Sequence, residues 1–506
     1  MQSRFALVLA FVSIAAGAAA PPPTAAQIEN AKTILSGKRT TNLLSAIPGL
    51  IPFPQAAAAA NSLPFDDIQG DILAGMKKNK QTFYFFTINN PLTFKLKLRT
   101  IIAPFLTSTK RLMNVSTQPI VALNVAFSQS GLTTLNVTDD LGDAAFKAGQ
   151  FADAANLGDP GTGNWKPAFK GTKIHGVFLM ASDKQPFNDL MVLLVRGIFF
   201  GDITEQYVLN GNVRPGAEAG HEMFGYLDGI AQPSIPAFQA PFPGQQVVDP
   251  GVILLGEAGD TIARPAWAKD GSFLAFRQLQ QLVPEFGGFL NTAAPSVPGL
   301  TGSQSADLLG ARMIGRWKSG APVDLFPLAD GPPGFAADPT QNNNFDFQHP
   351  GFNFTTDQSH CPFSAHIRKT RPRADLIAPT NSIMRSGIPY GPEVTTAEKA
   401  AGRSDPADGP NERGLAFVAY QAQIAKGFQF LQHSWANNPN FIFNKDVKPG
   451  HDPIIGANAG APRTMQGYNV ADTTQSLALP VDWVVSRGGE YFFSPSISAI
   501  KTVLTA

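Results

Sequence analysis

Glu222-Met-Phe-Gly225-Tyr-Leu-Asp228-Gly229-Ile-Ala-Gln232-Pro233 is the stretch on which the reading of this chain turns. It places a glycine on each side of one carboxylate and then opens a proline-rich span, Pro233–Pro250. Asp-Gly ordinarily marks a turn, and the flanking glycines also let the backbone approach a flat ligand closely while presenting a single acid. The proline-rich span reads as a joint, so the elements on either side of it decide the fold.

Upstream, runs rich in Phe, Val and Ile at 82–88, 119–127 and 174–180 read as strands, and 92–112 and 187–199 have helical spacing. Downstream, 272–277 and 414–420 read as strands, and 278–286, 305–318 and 421–435 read as helices. Two halves that each mix strands and helices predict α+β or α/β, without a short-period repeat. The expected division is a signal peptide over 1–20, a propeptide or linker over 21–60, an N-terminal domain over 61–235 and a C-terminal domain over 236–506.

The composition narrows the function. Among 506 residues, 39 Lys+Arg against 38 Asp+Glu leave a formal charge of +1, which gives no basic field for nucleic acid. Phe is used 38 times against 7 Tyr and 5 Trp, a pattern of core filling. Cys361 is the single cysteine, which rules out an intramolecular disulfide, a four-cysteine zinc site and an iron–sulfur cluster. At the N-terminus, Arg4, an apolar run from Phe5 and Ala18-Ala19-Ala20-Pro21 form a secretory signal, too short to span a membrane. No apolar run of spanning length recurs, so an extracellular protein is expected, away from membranes. Proline and alanine dominate 21–60, which also holds Lys38-Arg39, and the segment is expected to lie outside the fold. Sequons at Asn114, Asn136 and Asn353 are glycosylation candidates. Nothing in the sequence specifies an oligomeric state.

G-x-S-x-G, P-loop and H-E-x-x-H signatures are absent. The seven histidines contain no i, i+4 pair, so a zinc site is not expected. His366 stands in Cys361-Pro-Phe-Ser-Ala-His366-Ile-Arg368-Lys369-Thr-Arg371-Pro-Arg373. A haem needs an axial base for its iron and cations for its two propionates, and this segment offers both; a solvated basic loop is the plainer reading. Met384-Arg385-Ser-Gly387-Ile-Pro389-Tyr390-Gly391 holds an arginine just before a turn.

Taken together, the chain resembles the dye-decolorizing peroxidases, in particular the secreted fungal ones. The resemblance rests on Ile68-Gln-Gly-Asp-Ile-Leu73, Gly225-x-x-Asp228-Gly229, Gly310-Ala-Arg312-Met-Ile-Gly315-Arg-Trp317-Lys-Ser-Gly-Ala-Pro322, the His366 segment, Arg385 to Gly391, and Gly450-His-Asp452-Pro-Ile-Ile-Gly456. It implies two ferredoxin-like halves, each an antiparallel sheet with helices, and one haem b held mainly by the C-terminal half. It implies His366 as the axial iron ligand and Asp452 as the carboxylate accepting its other ring N–H. Asp228 and Arg385 become the catalytic pair on the opposite face. Gly229, Ile230, Arg368 and Arg371 become cofactor contacts, Leu415 and Phe417 the residues narrowing the channel, and Trp435 and Tyr390 the routes for electrons from the surface. The flanking polar residues Gln432, His433, Asn437 and Asn438 suggest that the indole edge of Trp435 meets solvent.

The resulting expectation is a secreted peroxidase that uses hydrogen peroxide to oxidise bulky aromatic reductants, anthraquinone dyes and phenols among them, in one-electron steps. Rival readings are a haem protein of different oxidative task, such as alkene or carotenoid cleavage, a haem carrier without turnover, and a structural glycoprotein.

Overall fold

The structure is a computed structural model that describes residues 23–39, 63–76, 79–114 and 117–506; the expected signal peptide lies outside these residues. Its frame is nine strands: β1 (Lys80–Ile88), β2 (Ala122–Phe127), β3 (Gly176–Ser182), β4 (Ile203–Asn212), β5 (Ser272–Gln281), β6 (Met384–Arg385), β7 (Ile388–Tyr390), β8 (Gly414–Gln421) and β9 (Val484–Ser494). Pairing runs β5-β9-β2-β3-β1-β4-β7-β8-β6, and β5 also pairs with β8, so the sheet closes into a barrel. All these pairings are antiparallel.

Two copies of one topology make the barrel. The N-terminal strands lie in the order β2-β3-β1-β4, and the C-terminal strands repeat it as β6/β7-β8-β5-β9. Each is the ferredoxin-like arrangement, and single register pairs join them at Phe493 with Phe127 and at Gly211 with Tyr390.

Strand β1 shows why the chain adopts this form. Successive side chains of a strand point to opposite faces. Phe83 and Phe85 point into the barrel, where Phe85 meets Phe276 of β5 at 4.9 Å between ring centroids. Tyr84, Phe86 and Ile88 point outward to a second core closed by the helix α2 (Gln185–Ile198) through Met191, Leu194 and Val195. Burial on both faces turns the expected alternation into a near-continuous apolar run, which is why this strand is legible in the sequence.

Several expectations are corrected. Residues 278–281 belong to strand β5, because pairing with β8 and β9 on both sides overrides local helical spacing, and the helix begins at Val283. Within 421–435 only Phe428–Phe430 is α-helical, followed by a π-helical turn, Leu431–Ala436. A Cβ on Gly427 would crowd Gln421, and the chain breaks there. The segment expected to lie outside the fold contains α1 (Ala25–Leu35), started by a Thr24–Gln27 capping box. It packs on α2 at Gly197, where a side chain would strike Pro23 and Ile28, and it buries Ala31 and Leu35 in the outer core. The three sequon asparagines, Asn114, Asn136 and Asn353, are exposed.

Candidate active site

The connections of the C-terminal half, the joint between the halves and the stretch from Asp159 to Asn164 enclose a cavity of about 590 Å³. Asp228, Gly229, Ile230, His366, Arg371, Arg385, Leu415 and Phe417 all line it. The topology thus brings together most of the residues singled out in the sequence.

One wall is acidic and basic at once. The Asp228 loop is folded by Glu222, whose carboxylate accepts the backbone N–H groups of Phe224 and Tyr226 at 2.9 Å each. Gly225 and Gly229 sit at φ +94° and +78°, conformations that a side chain would strain, and nothing lies within 4 Å of where a Cβ on Gly229 would stand. Arg385 Nη1 donates to Asp228 Oδ1 at 2.8 Å. Gln232 clamps the Arg385 backbone from both sides, donating to its carbonyl at 2.7 Å and accepting its N–H at 3.0 Å. Burial pushes the Asp228 carboxyl up, but the Arg385 charge and hydrogen bond outweigh it and hold the group below the usual carboxylate range.

The opposite chemistry comes from His366, the first residue of α3 (His366–Thr370). Its Nδ1 lies 2.8 Å from Asp452 Oδ2, and Nε2 has no hydrogen-bond partner among the described residues. Asp452 is fully buried, and its other oxygen accepts the N–H groups of Ile454 and Ile455 at 2.8 and 3.0 Å. Burial would favour the neutral imidazole, yet the Asp452 charge outweighs it and raises the basicity of the ring. A carboxylate behind an imidazole fixes the tautomer and orients the free nitrogen, the arrangement used to hold a metal.

Three arginines complete the site. Arg316, Arg371 and Arg373 line the cavity and have no carboxylate partner among the described residues. Arg316 donates to the carbonyls of Gly320 and Asn342 and to Asn343 Oδ1, and Arg373 to the carbonyls of Gly244, Asn343 and Phe345. The Arg371 guanidinium has no hydrogen bond or ion pair among the described residues. Burial lowers Arg316 and Arg371 to about 9 and Arg373 to about 10, and Arg373 adds to the shift at the other two. Three cations without counter-ions, Arg316 buried and Arg371 and Arg373 half-buried, are costly unless the cavity receives anions. A planar group with two carboxylates and a metal that takes an imidazole therefore fits: open space at Gly229, a free Nε2 on His366, and unmatched positive charge. This is the donor set of a haem site.

Arg368, expected as a cofactor contact, is corrected. Its guanidinium is held by Asp375 at 2.6 and 2.9 Å and by the Cys361 carbonyl, packed over the rings of Phe347 and Phe363, away from the cavity. Arg316 and Arg373 line the cavity, as Arg368 does not. Both stood in quoted motifs, but no local pattern distinguishes an arginine that will find a carboxylate from one that will not. Trp435 is also corrected: it is 2% exposed, stacked on Phe441 at 4.9 Å and 3°, so its indole edge does not meet solvent. Tyr390 is likewise buried, its hydroxyl donating to Glu412 Oε1 at 3.1 Å.

Comparison with known proteins agrees with this geometry. Residues 67–215 match the model of the DyP dimeric alpha+beta barrel domain, and residues 222–442 match that of the Dyp-type peroxidase C-terminal domain. The chain belongs to the dye-decolorizing peroxidase family. It is an oxidoreductase of the fungal type in that family, whose members are haem enzymes. A dye-decolorizing peroxidase of Exidia glandulosa is 58% identical over 93% of both chains, and one of Auricularia auricula-judae is 55% identical over 95% of both. A crystal structure of a fungal DyP-type peroxidase from Auricularia auricula-judae superposes with a TM-score of 0.85 at 56% identity, covering 88% of this chain and all of that one. Another neighbour, with the same score, identity and coverage, is described by engineering of its heme pocket. In this member of the family, no helix among the described residues is long and apolar enough to cross a membrane.

Proposed function

We propose that the protein is a secreted peroxidase that binds one haem b per chain and uses hydrogen peroxide to oxidise bulky aromatic compounds, such as anthraquinone dyes and phenols, in one-electron steps. The observation that carries this reading is one cavity holding an Asp228–Arg385 pair, a His366–Asp452 pair and three arginines without carboxylates. His366 would ligate the iron through Nε2, Arg316, Arg371 and Arg373 would meet the two propionates, and Gly229 and Ile230 would let the macrocycle lie close. When bound, the haem iron activates peroxide and stores its oxidising equivalents.

The chain's own residues handle the proton and the access. Cleaving the O–O bond of peroxide heterolytically requires a proton to leave the near oxygen and arrive on the far one. Asp228, held ionised by Arg385, accepts that proton and returns it. Arg385 stays protonated throughout and stabilises the negative charge that develops on the departing oxygen. Leu415 and Phe417, the latter packed on Phe428 at 5.6 Å, narrow the way in, so peroxide enters and a dye does not. Electrons from a bulky donor then pass through side chains. Trp435 is sealed from water, but Phe441 stacks on it and contacts Phe443, which is 51% exposed. That ring marks where a dye would dock.

An absorption spectrum of the purified protein tests the reading. A Soret band that shifts with one equivalent of hydrogen peroxide and returns on adding a phenol is expected. A protein without a Soret band, or with one that peroxide leaves unchanged, would overturn it. N-terminal sequencing of protein from the culture medium tests secretion.

A further inference from the structure

A second cluster of ligating side chains lies outside the cavity described above. Asp324 comes from one loop and His349 and His360 from the next, and one ligand atom from each lies within 4.8 Å of the others. They share a cavity of about 220 Å³, lined also by Asp357, Cys361 and Arg368. The helical spacing expected of a zinc site is absent here because the fold, and no single helix, assembles the donors.

The geometry points to a binding site for a divalent transition-metal ion of the zinc type, held by the Asp324 carboxylate and the two imidazoles. Asp324 is 1% exposed, its Oδ1 lies 2.9 Å from His349 Nε2, and its Oδ2 has no hydrogen-bond partner, an unusual state for a buried carboxylate oxygen. His360 Nδ1 lies 2.6 Å from the Asp324 carbonyl oxygen, which makes Nδ1 the protonated nitrogen and leaves a lone pair on Nε2. The two imidazole rings face each other at 3.9 Å between centroids. Two neutral imidazoles and one carboxylate form a ligand set for zinc, copper or iron, whereas calcium requires a shell of oxygens. The ion takes the place of the hydrogen between His349 Nε2 and Asp324 Oδ1, and the neutral imidazole carries its one proton on Nδ1. Arg368 is the cation beside the cluster, and its charge is already matched by two bonds from Asp375.

Position gives the ion a task. Arg312 already holds the carbonyls of Gln358, Ser359 and His360. An ion at this cluster would tie the same loop to Asp324 and His349, just before the segment Cys361–His366. It would stiffen the approach to His366 without entering the active-site cavity, and the inference stands whether or not the haem assignment holds.

Zinc binding to the haem-loaded enzyme is the test, read by equilibrium dialysis and elemental analysis at pH 7.5. One zinc per chain is expected, with affinity at least 30-fold lower in His360→Gln and in Asp324→Asn while the Soret absorbance stays constant. Excess calcium should not displace the zinc, because calcium requires a shell of oxygens. No stoichiometric zinc at 100 μM added metal, unchanged affinity in both variants, or displacement by calcium would overturn the site. If Asp324→Asn does not fold, His360→Gln and His349→Gln carry the same comparison from side chains only half buried.

Discussion

The two halves of the barrel repeat one strand order and differ in what their connections do. In the N-terminal half the chain crosses from β1 to β2 between Ile88 and Ala122, and its side chains there go into a dry outer core of Phe94, Leu98, Ile102 and Leu106. In the C-terminal half the equivalent crossing runs from Gln281 to Met384, and it carries Arg316, His366, Arg371 and Arg373. The shorter crossing seals a face; the longer one encloses a cavity. The N-terminal half still reaches the site, directly through the cavity-lining stretch from Asp159 to Asn164 and indirectly through Asp71. Asp71, from the Ile68–Leu73 motif, is buried and accepts hydrogen bonds from Ser386 Oγ and Tyr420 Oη at 2.7 Å each, which anchors the strand beside Arg385. Twin topologies thus diverge by loop content: both supply the frame, the joint between β4 and β5 supplies Asp228, and the C-terminal crossing supplies His366 and the three arginines.

Substitutions can break this contrast, and the largest effect is expected at His366. His366→Ala should abolish peroxidase turnover and cut haem retention, measured as Soret absorbance per protein; normal values for both would show that the C-terminal connections do not supply the axial base. Asp228→Asn should slow the reaction with peroxide by on the order of 100-fold or more, read by stopped flow. The sign of the pH dependence follows from the same residue. Because Arg385 depresses its pKa, Asp228 remains a base in mild acid, so the wild-type rate should hold down to about pH 3.9, the reference aspartate value, and fall only below it. A fall beginning near pH 6 would point to a histidine instead.

The contrast among arginines is sharpened by a pair of variants. Arg371→Ala should speed haem loss by about tenfold, the equivalent of roughly 1.4 kcal/mol, with little change in the melting temperature of the haem-free protein. Arg368→Ala should do the reverse, destabilising the fold by about 2 kcal/mol because the buried Asp375 carboxylate loses two charge-assisted hydrogen bonds and keeps only Lys445. Equal effects on haem loss from both would erase the distinction. The smallest effect on peroxide is expected from Trp435→Ser, which should lower the turnover of a bulky dye severalfold while leaving the peroxide step unchanged. Dye turnover that survives would place oxidation at Tyr390 or at the haem edge.

The parts of this molecule that could be read from the sequence are those written in local patterns. Phe83 to Phe86 announce a strand because both of its faces are buried, and Gly225-x-x-Asp228-Gly229 announces a carboxylate on a tight loop because only glycine accepts those dihedrals without strain. His366 with cations after it suggests an axial base beside charge. Those patterns, and the six motifs together, reach the family and most of the cavity wall. Pairing lies beyond them. Whether an arginine meets Asp375, as Arg368 does, or the cavity, as Arg371 does, depends on how the backbone turns between them. Whether Trp435 faces water depends on Phe441 folding over it, and the Asp324, His349 and His360 donors converge only when two loops meet. Local sequence sets dihedral preferences and burial periods, which act within a few residues. The pairs that make the site, Arg385 with Asp228 and His366 with Asp452, join segments 157 and 86 residues apart, and only the closed fold brought them together.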